Sequence, residues 1–229
     1  MFDPVTQYRF APVLAQRTHF CGYVLNDDES GVPLPEAVKR VNSHPLVVAT
    51  TGGGEDGFVL LENFLRASIG APWQAFVVAG PMTPEPHFFA LQELAEQSGA
   101  TLHRYVPNLP HLFRSADALV CMGGYNTLTE AAAAGVPTVC VPRVTPRREQ
   151  AMRAAAFKHL GFLETILPDE LNPERLAAAV HAAMRRGEMG FASDRMMLHF
   201  DGAMQAARHL RDLPQTREQS GVPVASIVL

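Results

Sequence analysis

Five short strand-like runs, four of them largely apolar, each followed by a turn and most by a helix-length segment, constrain this chain more than any other feature. They are residues 46–51 (LVVATT), 74–79 (QAFVVA), 101–106 (TLHRYV), 118–122 (ALVCM) and 138–141 (TVCV). Their shortness, their valine content and their glycine and proline flanks argue for strands rather than buried helices. Runs that are largely apolar, not alternating, suit strands covered on both faces. Helices are predicted over 58–69, with Leu61, Phe64 and Leu65 on one face, and over 86–97, 128–134 and 147–160. Residues 107–114 hold a short helix or turn, 163–167 a short extended piece, and 196–210 a last helix. A further helix spans 173–186, with Asn172 as its cap. Strand and helix in this alternation specify an α/β protein with a Rossmann-like, doubly wound parallel sheet.

If the strands take the order 3-2-1-4-5, the winding direction reverses between strands one and four, and ligands of such sheets sit at the carboxyl ends beside that point. The loops leaving those two strands are GGGEDG (52–57) and GGYNT (123–127), the most glycine-rich in the chain. Gly52, Gly53 and Gly54 let backbone amides face a phosphate, although Glu55 and Asp56 repel one unless they point away. The first loop lacks the Gly-Lys-Ser/Thr ending of a P-loop and does not match GxGxxG. In the second, Gly123 and Gly124 make a sharp turn, and Asn126 or Thr127 is expected to cap the helix that Gly135-Val136-Pro137 stops. Glu130 is then expected in the first turn of that helix, whose free N–H groups and dipole attract anions. A third loop, PRVTPRREQ (142–150), leaves the same edge with Arg143, Arg147 and Arg148, while Glu149 and Gln150 offer hydrogen bonds to sugar hydroxyls. The plainer reading is a strand–helix–strand unit with Glu130 suiting the dipole, followed by an ordinary charged helix start.

Composition closes off several function classes. A formal net charge of −4 leaves no basic excess for nucleic acid. No apolar run approaches the roughly 20 residues of a spanning helix, and no signal-peptide pattern opens the chain. The three cysteines, Cys21, Cys121 and Cys140, are scattered, and two fall in predicted buried strands as small hydrophobes. That usage suits a reducing, cytoplasmic setting, and neither they nor the nine histidines show metal-ligand spacing. There is no GxSxG elbow. Residues 1–42, with one strand candidate at 19–24, are too irregular to start a domain by themselves and look like the remnant of a preceding domain or a linker. The ligand-binding domain is placed at 43–212 and a loosely ordered tail at 213–229.

The stretch 109–150, with its G-x-x-T-x-x-E pattern from Gly124 through Thr127 to Glu130, resembles the C-terminal, donor-binding half of GT-B glycosyltransferases of the family 28, lipid I N-acetylglucosaminyltransferase type. The similarity extends over about residues 45–183, with TTGGGEDG as the family's first loop and Tyr105-Val106-Pro107 as its base-binding stretch. The resemblance implies that Glu130 binds the ribose of a UDP-sugar. It implies that Gly123, Gly124, Asn126 and Thr127 face the diphosphate, and that the segment from Arg143 through Arg147 and Glu149 to Gln150 faces the sugar. It implies no cofactor and no metal. Such enzymes have two Rossmann-like domains, and only the second is visible here. The expected partners are therefore a UDP-sugar donor and an N-terminal acceptor domain or partner chain, with a homodimer as another arrangement. A split enzyme of this kind exists in eukaryotic dolichol-linked N-acetylglucosaminyl transfer. In two-domain enzymes of this kind a closing helix, here 196–210, crosses back to the first domain.

Two other functions compete with transfer. RVTPRRE is also similar to the R-x-T-x-R-x-E run of non-hydrolysing UDP-GlcNAc 2-epimerases, which share the architecture. Half a cleft also suits a non-catalytic nucleotide-sugar-binding module. Neither the acceptor nor the stereochemical outcome is legible in the residues.

Overall fold

A computed structural model describes residues 3–26, 44–146, 148–188, 198–213 and 227–228, the last pair and residue 188 by backbone alone. The chain divides into two compact units, Asp27–Arg195 and the two termini together, Met1–Asn26 with Met196–Leu229.

The larger unit is a six-stranded, wholly parallel sheet. Its strands are β1 (Leu46–Thr50), β2 (Gln74–Val78), β3 (Thr101–His103), β4 (Ala118–Cys121), β5 (Thr138–Cys140) and β6 (Leu163–Thr165), in the order β3-β2-β1-β4-β5-β6. The extended piece expected at 163–167 is thus a sixth strand, hydrogen-bonded to β5. Its helices are α1 (Phe58–Ala67), α2 (Glu85–Ser98), α3 (Leu109–Ser115), α4 (Tyr125–Ala134), α5 (Glu149–His159) and α6 (Pro173–Glu188). Every residue of β1 and β4 is buried, as strands sandwiched between helix layers must be. Alternate side chains feed the two faces: Val47, Ala49, Val77, Val120 and Val139 join a core with Leu61, Phe64 and Leu65 of α1, Leu91 of α2, and Leu176 and Val180 of α6.

Local chemistry sets the element ends. Asp117 Oδ2 accepts from the Leu46 N–H at 2.7 Å while its own N–H donates to Leu46 O at 2.8 Å, which fixes the β1–β4 register. Asn172 Oδ1 accepts from the Arg175 N–H at 2.8 Å, the cap expected for α6. At the end of α4, the Gly135 and Val136 N–H groups return to Ala131 O, and Pro137 prevents continuation.

Most predicted strands end a residue or two early, and two are much shorter than the sequence suggests. The run 101–106 leaves the ladder after His103, because β3 is an edge strand and only half-buried. Beyond it the Arg104 guanidinium turns to Thr83 O, at 2.7 Å, and to Glu85. The strand candidate at 19–24 reduces to Thr18–His19, paired in parallel with Ile227–Val228, and an isolated bridge between Val24 and Asp201. Backbone groups of Tyr23 bond instead to His199 O and the Gly202 N–H. In this terminal unit Asp3 caps the short helix Pro4–Gln7, a second short helix spans Pro12–Gln16, and the last helix is α7 (Gly202–Asp212). That helix starts later than the 196–210 expected, because residues 198–201 are not helical and Asp201 bridges to Val24; residues 196–197 and most of the expected loose tail, 214–226, lie outside the described residues. Among the described residues no helix is long and apolar enough to cross a membrane.

Candidate functional site at the carboxyl edge of the sheet

Register places the site. Thr50 lies opposite Cys121, and Cys121 opposite Cys140, so the loops after β1, β4 and β5 leave one edge side by side. Between β1 and β4 the winding reverses, the position where parallel α/β sheets hold ligands.

The loop after β1 is shaped by contact with the loop after β2. Gly54 has φ +99°, and a Cβ there would fall 2.3 Å from Thr83 Oγ1 and 2.6 Å from Ala79 O, so only glycine fits. The Met82 N–H donates to Gly53 O at 2.8 Å, and Thr51 Oγ1 donates to Ala79 O at 2.8 Å. Gly52 and Gly53 stay exposed. Asp56 does not face an open crevice as a bare charge, because Arg143 from the loop after β5 pairs with it. Both partners are substantially exposed, so the pair is weak in energy but defines where each side chain points.

The loop after β4 departs from expectation at the helix start. Gly124, not Asn126 or Thr127, is the N-cap of α4, and no side chain caps it. Tyr125, Asn126 and Thr127 therefore form the first turn itself, with their N–H groups at the free end of the helix. Glu130 moves accordingly from the first turn to the second, where it is buried at 7% exposure. The reason is backbone geometry: Gly123 with φ +85° turns the chain early enough for the helix to begin at once. A Cβ at Gly123 would lie 2.9 Å from Cys140 Sγ, so the loop rests directly on β5. Thr129 Oγ1, next to Glu130, is shielded from solvent and has no hydrogen-bond partner among the described residues.

The third loop and α5 complete the arrangement. The Arg143 N–H donates to Gln150 Oε1 at 3.1 Å. Glu149 opens α5 and pairs with Arg153 one turn later. Arg153 is buried, donates from Nη1 to Gly123 O at 3.2 Å, and lies with its Cζ 5.5 Å from the Tyr125 ring centre. Sequence reasoning missed Arg153, although its spacing of four from Glu149 is a legible helical ion-pair signal. Arg147 lies outside the described residues. Tyr105 is 65% exposed just beyond β3, whereas Val106 is buried, so Val106 offers backbone rather than side chain to any ligand.

Beneath the loops, Cys121 and Cys140 are free, buried thiols. The hydrogen bond between them and their burial push the Cys140 thiol well up, so it stays neutral. Among the described residues no group of three or more His, Cys, Asp or Glu side chains is placed to hold a metal ion.

Known proteins to which this chain is similar are glycosyltransferases. A family model described as the glycosyltransferase family 28 C-terminal domain matches residues 62–208. The chain is 29% identical over 189 residues to the UDP-N-acetylglucosamine--N-acetylmuramyl-(pentapeptide) pyrophosphoryl-undecaprenol N-acetylglucosamine transferase of Geobacillus kaustophilus, covering 79% of this chain and 50% of that one. It is 26% identical over 177 residues to an uncharacterized glycosyltransferase of Methanopyrus kandleri, covering 76% and 49%. Among solved structures, Acinetobacter baumannii MurG superposes with a TM-score of 0.60 at 20% identity over 76% of this chain and 51% of that one. Spinosyn rhamnosyltransferase SpnG does so with a TM-score of 0.60 at 18% identity over 82% and 51%. These structures share the GT-B fold, and this chain has the architecture of one of its two Rossmann-like halves. The chain spans about half the length of the curated relatives it matches. With that match across more than half its length, the chain belongs to the glycosyltransferase family 28 C-terminal domain family.

Proposed function

We propose that this chain is the donor-binding half of a glycosyltransferase that takes a UDP-sugar of the UDP-N-acetylglucosamine kind. The hexosyl group passes to an acceptor held by an N-terminal domain or a partner chain. The observation that carries the reading is the linkage of three loops at one carboxyl edge: Asp56 to Arg143, and Arg153 to both Gly123 and Glu149. The name of the Geobacillus relative supports UDP-N-acetylglucosamine as the donor.

Each residue has a role in this reading. The uncapped amides of α4 at Gly124, Asn126 and Thr127, with the backbone of Gly52, Gly53 and Gly54, bind the diphosphate. Arg143 and Arg147 add charge, Glu130 binds the ribose, Tyr105 and Val106 hold the base, and Glu149 and Gln150 bind sugar hydroxyls. The diphosphate is the leaving group, so amides and guanidiniums that favour its extra charge lower the barrier to glycosidic cleavage. The donor domain in this reading runs from 43 to 212, and residues 1–42 belong to what precedes it.

Calorimetry on the full chain with UDP, UDP-N-acetylglucosamine, GDP and dTDP tests it. UDP and its sugar are expected to bind, with Glu130→Ala weakening both by about tenfold or more through loss of a charge-assisted bond. No binding at millimolar UDP, or an unchanged Glu130→Ala variant, overturns the reading.

A further inference from the structure

Among the described residues, Arg153 is the one buried cation at the candidate site, and its three contacts tie the turn before α4 to the start of its own helix, α5. Nη1 meets Gly123 O, the other guanidinium nitrogen, Nη2, meets Glu149 Oε1, and the planar group lies against Tyr125, the first residue of α4. A guanidinium so buried needs every polar contact it makes. The consequence is geometric. The Gly123–Gly124 peptide is trans, since the single cis bond among the described residues joins Thr145 and Pro146. In a trans peptide the C=O and the following N–H point in opposite directions. Holding Gly123 O toward α5 therefore aims the Gly124 N–H away from α5. It also keeps a carbonyl oxygen, which repels anions, turned inward from the free end of α4. Glycine at 123 has no intrinsic preference that would hold this orientation.

We infer that Arg153 is a positioning residue for a diphosphate at the N-terminus of α4: it fixes the Gly123–Gly124 peptide so that its N–H, not its C=O, meets the anion, and holds the Glu149 carboxylate on the sugar side. The inference rests on the donor-binding reading above. Arg153 acts through the peptide and does not itself touch the ligand.

The experiment compares uridine with UDP on the full chain and on Arg153→Met and Arg153→Lys, by calorimetry and by the 15N shift of the Gly124 amide. The expected result is a loss of about tenfold in UDP affinity for Arg153→Met, with uridine affinity held within about twofold and Arg153→Lys in between. UDP is expected to shift the Gly124 amide in the wild-type chain and to leave it nearly unmoved in Arg153→Met. A merely structural role lowers uridine and UDP affinity together, and that outcome overturns the inference, as does an unchanged ratio in both variants. If Arg153→Met does not fold, Arg153→Lys decides, because it keeps the buried charge but cannot span Gly123 O and Glu149 together. A wild-type chain that binds neither UDP nor uridine overturns the donor reading itself; a wild-type chain that binds UDP beside variants with the same ratio overturns the role of Arg153 alone.

Discussion

Asp56 and Arg143 show how a single contact changes what a residue means. Arg143 reads from sequence as a cation for phosphate or sugar, and Asp56 as an obstacle to phosphate; in the structure each answers the other. The pair is more than a third exposed on both sides, so it contributes little to stability. Its effect is on the field at the site, where it cancels one positive charge beside the loop amides. Asp56→Asn is expected to move unfolding stability by less than about 1 kcal/mol while raising UDP affinity a few-fold, since Arg143 is released toward the anion. Urea denaturation beside UDP titration checks this, and weaker UDP binding in that variant would show that Asp56 itself orients the loop. Glu149 and Arg153 behave differently, because one partner is buried and removing the other leaves a charge without its counterion.

Among elements, α4 and α7 illustrate two ways of starting a helix. α4 has a glycine cap with no side-chain bond, which leaves its first-turn amides for a ligand. α7 begins at Asp201, whose Oδ2 accepts from Gln205 Nε2 at 2.7 Å. That hydrogen bond, ahead of neighbouring positive charge from His199 and Arg208, holds the Asp201 carboxyl below its ordinary value. A depressed folded value means the stabilising contribution is present above the unfolded value and is lost as pH falls through the folded one. Acidification below the ordinary carboxylate range is therefore expected to fray the first turn of α7. Hydrogen exchange of the α7 amides across that range checks it, and Asp201→Asn should abolish the acid-dependent step. Fraying that persists unchanged in the Asn variant would assign the titration elsewhere.

At the scale of the molecule, the two compact units differ in how they enclose their thiols. Cys121 and Cys140 face each other across β4 and β5 with no solvent exposure, while Cys21, in the terminal unit, is 8% exposed. A neutral, enclosed thiol is a poor nucleophile. Cys121 and Cys140 are expected to resist an aromatic disulfide reagent until the parallel sheet unfolds, with Cys21 reacting earlier as the terminal unit opens. Peptide mapping of the labelled chain along a urea series, beside circular dichroism, checks the order. Labelling of Cys140 before loss of the sheet signal would contradict the enclosure.

The strands, the turns and the helix faces were legible in the residues, because apolar runs, glycine turns and helix periodicity act between near neighbours and need no knowledge of distant contacts. LVVAT and ALVC become β1 and β4 in the expected order, and GVP ends α4 where expected. The strand order that brings the glycine loops together is itself a matter of pairing between strands distant in sequence, β1 with β4. The rest is set by contacts across the fold. The helix start at Tyr125 depends on Gly123 resting over Cys140, and the short β3 on its place at the sheet edge. Asp56 meets Arg143 across 87 residues of sequence, and Arg153 meets Gly123 across 30. Such pairs are chosen by which side chains the assembled sheet brings within reach, a quantity that neither propensity nor spacing along the chain encodes.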